Sequence, residues 1–378
     1  MRTCALPLFG LLAATAFAQN PDAASIKVHE GVELHDKGDY KKAIKKYDEA
    51  LKLDKDNLTA MAEKAMSMNA LGQFEESAAL CQDIIEKHDG AKEAPMVYVT
   101  YGNDMDQLKR PEASLRVYNK GISVLPDMYM LHFNKGITLW GMDSTNSALR
   151  ALERSAALNP YHPGTQNAIA RILGTQKKSI PATLAFCRFF MLEPESERAK
   201  QNHALLQKNL FNNTSQRADG GTTISIDASA LRDSTDTVHV ENDFRDQEVV
   251  WSVTKGFDLL SALTQALKAT ESATNSETTI NISAGTSPAG FKGKLDQLAD
   301  MLKEGRAKNH GFQWEYYADW MIALKSADHT EALAYLTFAS SDEQEVTKWL
   351  KANGAKVNAY FDWEKDYTAQ YMKVKPGQ

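Results

Sequence analysis

A small residue returns along the first half of this chain at a nearly fixed interval. Gly31, Ala65, Gly102, Gly136 and Ala170 are separated by 34, 37, 34 and 34 residues. Three residues after each comes Leu or Met: Leu34, Met68, Met105, Leu139 and Leu173. Twelve after each comes another small residue: Ala43, Ser77, Ser114, Ala148 and Ala182. Sixteen after come Tyr47, Cys81, Tyr118, Leu152 and Phe186. Two antiparallel helices approach closely only where a small side chain sits at the crossing, with larger apolar groups in the flanking holes. One such pair cannot bury its own apolar face, so neighbouring pairs must stack. The period therefore commits this half of the chain to tandem helix pairs before any single residue is considered.

The punctuation agrees. Pro126, Pro160 and Pro194 follow the second helices, where a fixed φ and a missing N–H stop a helix. The first copy, GDYKKAIKKYDEALKLDK (Gly38 to Lys55), is the best preserved, and its lysine pairs beside Asp48 and Glu49 read as a solvated face. The longer gap falls in KHDGAKEAP (Lys87 to Pro95), a three-residue insertion between repeats.

Over residues 24–196 this pattern resembles the tetratricopeptide repeat (TPR) family. Lys55 and Asp89 stand where proline is usual in that family, and its bulky first-helix aromatic is missing from several copies. The resemblance implies a mainly α, antiparallel helix-pair superhelix of about five repeats. The segment ERAKQNHALLQKNLF (Glu197 to Phe211) fits a terminal capping helix. It also implies that a peptide or protein partner meets the stripe of the first helices. At helical spacing that stripe includes Val28, Val32, Met66, Val99, Asn103, Phe133, Ile137, Trp140 and Arg171. The Lys, Arg and Asn residues needed to clamp a peptide carboxylate are scattered, which argues against that mode. An apolar surface fits better, either on a partner protein or on this chain's own C-terminal segment. The same spacing equally describes core between adjacent helices, and both readings stand.

The N-terminus reads as an export leader over residues 1–18. Arg2 precedes an apolar run from Ala5 to Phe17, and Ala16-Phe17-Ala18 offers a small-x-small cleavage site. That places the mature chain in the periplasm or outside the cell. No stretch reaches the ~18 apolar residues of a membrane span. Removing Arg2 leaves 42 basic and 49 acidic groups, a net −7, against nucleic-acid binding. Cys81 and Cys187 lie in second helices three repeats apart, too far for the roughly 7 Å Cα approach of a disulfide.

Beyond the array, residues 212–290 read as linker and a small α+β segment. Strands are expected at Thr222 to Asp227, Thr237 to Glu241, Glu248 to Thr254 and Thr278 to Ser283, with a helix at Phe257 to Ala269. Residues 291–378 read as a helical C-terminal region, with Leu295, Leu298 and Leu302 on one face. There Gly311 to Lys325 and Thr330 to Ser340 suggest a sixth, degenerate pair, with Ala332, Leu336 and Ala339 at the second-helix spacing. Trp314, Tyr316, Tyr317, Trp320, Trp349, Phe361 and Trp363 crowd this end. Such density builds either a helical core or, in an exported protein, a carbohydrate platform.

No catalytic, metal-binding or phosphate-loop motif is present, and the nine histidines are dispersed. No catalytic residue, metal site or cofactor is therefore assigned. The leading reading is a non-enzymatic, exported interaction scaffold. The alternative is an enzyme or carbohydrate-binding protein whose site lies in the C-terminal region, with the array as docking arm.

Overall fold

The computed structural model describes residues 21–88, 94–210, 214–216, 222–224, 244, 287–341 and 343–372. The leader, the middle of the 87–95 insertion and most of 212–286 lie outside these. So do the expected helix at 257–269 and the strands beyond residue 224. The chain divides into two compact units, Met1–Pro126 and Asp127–Gln378.

The first unit holds three helix pairs: α1 (Pro21–Asp36) with α2 (Tyr40–Leu53), α3 (Leu58–Ala70) with α4 (Phe74–Lys87), and α5 (Met96–Gln107) with α6 (Pro111–Val124). The second begins with two more: α7 (Tyr129–Gly141) with α8 (Thr145–Leu158), and α9 (Pro163–Thr175) with α10 (Ser179–Leu192). The small residues close the pairs as their spacing requires. A Cβ at Gly31 or Gly102 would run into the ring of Tyr47 or Tyr118, and one at Gly136 would stand 2.7 Å from Leu152 Cγ. Helices α6, α8 and α10 each stop two residues before Pro126, Pro160 and Pro194, as the clash of a proline with the residue preceding it demands.

Each pair is joined by the same turn. A residue with left-handed backbone lies seven positions after the small residue: Gly38, Gly72, Lys109, Asp143 and Lys177, with φ of 79°, 84°, 59°, 57° and 60°. Its N–H and the next one reach back to first-helix carbonyls, as in Lys177 to Gly174 (3.1 Å) and Lys178 to Leu173 (3.0 Å). These bonds satisfy carbonyls that a helix end leaves unpaired.

In the second unit α11 (Glu197–Leu210) packs on α10. Two three-residue strands, Thr214–Gln216 and Thr222–Ile224, pair antiparallel. They form no sheet layer, and the first lies ahead of the strands expected from the sequence. Among the described residues the remaining elements are α12 (Pro288–Gly305) with a 3-10 turn (Arg306–Lys308) after it, a π-helical turn (Trp314–Ala318) running into α13 (Asp319–Ser326), α14 (Thr330–Thr337), α15 (Gln344–Ala352) and α16 (Gly354–Tyr371). Asn353 is the junction between α15 and α16.

The α13–α14 connection repeats the array's turn at Asp328 (φ 60°), with bonds from Asp328 to Lys325 and from His329 to Leu324. That register puts Leu333 and Thr337, rather than Ala332 and Leu336, at the second-helix positions. It also puts Met321 where the array has Gly or Ala. The bulk of Met321 removes the close crossing, and α14 packs chiefly on α12.

Candidate functional site

The first-helix stripe behaves differently in the two units. In the first, Val28 packs on the Ala24–Ala50–Ala60 cluster, and Val32 and Met66 are half-buried. Val99 is only 2% exposed. Its position three residues before Gly102 turns it toward the neighbouring pair, because α5 is packed by α3, α4 and α6. Val99 is thus core rather than groove surface. Asn103 accepts a hydrogen bond from Tyr118 Oη at 2.7 Å. Successive first helices are tied by polar bonds, His35 Nδ1 to Ser67 Oγ at 2.7 Å and Asn69 Nδ2 to Asp104 Oδ1 at 2.7 Å. Asp104 is fully buried, and burial pushes its carboxyl up to about 6.

In the second unit the stripe is more open. Ile137 is 38% exposed and Arg171 is exposed. The Arg171 guanidinium lies 5.9 Å over the half-buried Trp140 ring, a cation–π contact that holds both side chains along this face. Phe133 meets His162 edge-on at 4.7 Å, so it serves the joint between α7 and α9. The structure therefore brings Ile137, Trp140 and Arg171 together as an accessible surface and leaves Phe133 partly committed to packing.

The C-terminal helices dock elsewhere. The Arg188 side chain on α10 is fully buried, and its Nη1 meets Glu364 Oε1 of α16 at 2.5 Å. Trp320 Nε1 and Thr368 Oγ1 complete the Glu364 carboxylate at 2.7 and 2.8 Å. Arg188 Nη2 reaches Met372 Sδ at 3.5 Å, and the guanidinium lies 5.0 Å over Trp320. Burial acts to discharge Arg188, but the Glu364 carboxylate outweighs it and holds the guanidinium's pKa above its usual range. A second set of bonds joins Tyr317 Oη to Gln166 Oε1 (2.7 Å), Gln166 Nε2 to Tyr316 Oη (2.9 Å) and Gln313 Nε2 to Glu153 Oε1 (3.1 Å). These contacts reach α8, the start of α9, and α10. Ile137 and Arg171 remain exposed beside them.

Trp314, Tyr316, Tyr317 and Trp320 are buried, and Trp349 stacks on Tyr335 at 3.9 Å. The first four rings are core, and the half-buried Trp349 packs against that core. The sequence reading passed over Arg188 and Glu364. Its available signal was one cation inside SIPATLAFCRFFML, since a charge in an otherwise apolar helix needs a buried counter-charge. The partner, 176 residues away, left no local mark.

Among the described residues no group of His, Cys, Asp and Glu could hold a metal ion, and no helix is long and apolar enough to cross a membrane. Cys81 and Cys187 are buried free thiols.

A comparison with curated proteins gives no match. Among solved structures, the chain is similar to a thermophilic TPR protein of Thermus thermophilus, at 17% identity and TM-score 0.43, covering 49% of this chain and 99% of that one. It is similar to PilF of Pseudomonas aeruginosa at 16% identity and TM-score 0.41, covering 50% and 90%. The type IV pilus biogenesis factor PilW shares 20% identity at TM-score 0.40, covering 50% and 91%. The family model for the TPR repeat matches residues 31–61, and with the same turn recurring through five helix pairs, residues 21–192 are a tandem array of tetratricopeptide type.

Proposed function

We propose that this protein is an exported, non-enzymatic scaffold that binds a protein partner through the first-helix face of its last two repeats. Ile137 carries the reading. A β-branched apolar side chain kept 38% exposed, beside Trp140 and the Arg171 guanidinium, is an anchor-like arrangement. Interfaces concentrate energy in clusters of aromatic and Arg side chains of the kind that Trp140 and Arg171 form. The matching partner segment is apolar, with an acidic residue to meet Arg171. Val32, Met66 and Asn103 lie on the corresponding stripe of the first unit and are not needed for this reading. Capture of the C-terminal segment by this same face is disfavoured, because the bonds of the C-terminal helices run to Glu153, Ala156, Gln166 and Arg188.

A pull-down from envelope extract tests this with the full chain and with Ile137→Glu/Arg171→Glu. Both substituted residues are exposed, so folding is retained. A partner held by the native chain and lost by the variant supports the reading; equal capture overturns it. Sequencing the mature N-terminus tests export, with Gln19 expected first.

A further inference from the structure

A trough of about 640 Å³ opens where the turn after α14 meets the start of α15. Ser340 and Ser341 line it from the turn, and Gln344, Lys348 and Lys351 line it from α15. Those three follow at spacings of four and three residues, so they share one face of the helix. Lys200 of α11, and Glu195 just ahead of that helix, add the other charges of the described lining. The start of α15 is anchored. Val346 is 1% exposed, and Trp349 stacks on Tyr335 of α14.

Two features mark this as more than a basic surface. Ser340 is only 7% exposed, and the hydroxyls of both Ser340 and Ser341 are buried without a hydrogen-bond partner. A polar group withdrawn from water and left unpaired is costly, and here two lie on adjacent residues that line the same trough. The helix end is also open. Its N-cap residue, Glu343, makes no side-chain capping bond. The first-turn N–H groups of α15, at the positive end of its dipole, therefore have no capping side chain to meet them.

We propose that this trough binds a phosphomonoester, of a small molecule or of a lipid head group, held by the Ser340 and Ser341 hydroxyls at the start of α15 and by Lys348 and Lys351. Each part selects the same chemistry. Hydroxyls and first-turn N–H groups donate to phosphate oxygens, and lysines supply point charges to them. A carboxylate, with two oxygens and a single charge, answers fewer of these donors. A cation would face three lysines and one carboxylate. The volume lies within the range of about 300–1,000 Å³ that suits a small organic ligand. These residues are separate from Ile137 and Arg171, so this site and the groove stand or fall independently.

The test is calorimetric titration of the full chain with inorganic phosphate and glycerol 3-phosphate, with acetate as the rival probe. Both phosphates are expected to bind at least about tenfold more tightly than acetate. Lys348→Gln/Lys351→Gln, both at exposed positions, should weaken them at least about tenfold. Ser340→Ala/Ser341→Ala removes two unpartnered hydroxyls, so the free chain should melt no lower than the native one while the phosphates bind at least about threefold more weakly. Glu195→Gln should tighten them about twofold by removing the opposing charge. Lys41→Gln/Lys45→Gln, on the exposed face of α2, should leave them unchanged. Sedimentation with phosphatidylcholine vesicles, with and without phosphatidic acid, separates the two sources. Capture by the phosphatidic acid vesicles alone supports the proposal with a head group as ligand; binding of glycerol 3-phosphate without vesicle capture supports it with a soluble ester. Equal weakening by the trough and control variants would reduce the effect to diffuse attraction and overturn the proposal. So would an absence of phosphate binding at millimolar concentration, acetate bound as tightly as phosphate, or unchanged affinity after Lys348→Gln/Lys351→Gln.

Discussion

Helices α2 and α10 occupy the same place in their repeats. Each is a second helix of 14 residues following the same left-handed turn. In α2 only Ala43, Tyr47 and Ala50 are buried, while Lys41, Lys42 and Lys45 face water. In α10 every residue from Ser179 to Met191 is buried. The inner stripe is common to both, because closing a pair needs the same small and large residues. The outer face is what differs. On α2 it meets solvent. On α10 it meets α11, α14 and the π-helical turn, and its one charge is keyed to α16. Repeat geometry thus fixes the backbone, and the neighbour fixes the composition of the outer face.

The sharpest way to break this contrast is at the key. Glu364→Ala strands the Arg188 charge inside the protein, which costs about 3–5 kcal/mol. Denaturant unfolding should show that loss, while Arg188→Met/Glu364→Leu should recover most of it. A double variant as unstable as the single would mean that the pair's bonds to Trp320 and Thr368 matter more than its charge.

The shared inner stripe gives the next effect. Gly102→Ala drives a Cβ into the Tyr118 ring and should cost about 1–3 kcal/mol. Thermal melts should show it, with partial recovery when Tyr118→Leu is added.

Asp104 gives a pH test. Its folded pKa of about 6 lies above the ordinary 3.8, so the folded state favours the protonated form. That contribution is fully present below about pH 3.8 and is lost as pH rises through about 6. Asp104→Asn should flatten the decline and stabilise the protein at pH 7 by at most about 3 kcal/mol, the full value of the shift. Unfolding curves at pH 4 and 7 check it.

The smallest effect lies at the turns. Lys109 and Lys177 hold a left-handed backbone that Gly38 and Gly72 adopt without a Cβ. Lys177→Gly should raise stability by about 0.5–1 kcal/mol, read as a higher midpoint with an unchanged denaturant slope.

The array was legible because its information is local. Gly31 and Tyr47, or Gly136 and Leu152, are sixteen residues apart, and a helix pair has to bring them together. The mainly helical C-terminal region was legible in the Leu295–Leu298–Leu302 stripe. Val99 was misplaced because spacing gives an angle around α5 but cannot say that α3 covers that angle. The sixth pair shows the same limit. Its turn at Asp328 follows the repeat, while Met321 forbids the crossing that the turn would otherwise serve. Arg188 and Glu364 escaped because a buried ion pair leaves no periodic mark. The openness of Ile137 and Arg171 likewise depends on where distant helices dock.

Amide hydrogen exchange along α10 tests most directly whether the C-terminal helices cover it. In the native chain α10 should be among the most protected segments. In Glu364→Ala its protection should fall sharply while α2 exchanges as before. Protection of α10 no greater than that of α2 in the native chain, or α10 unaffected by Glu364→Ala, would contradict the account.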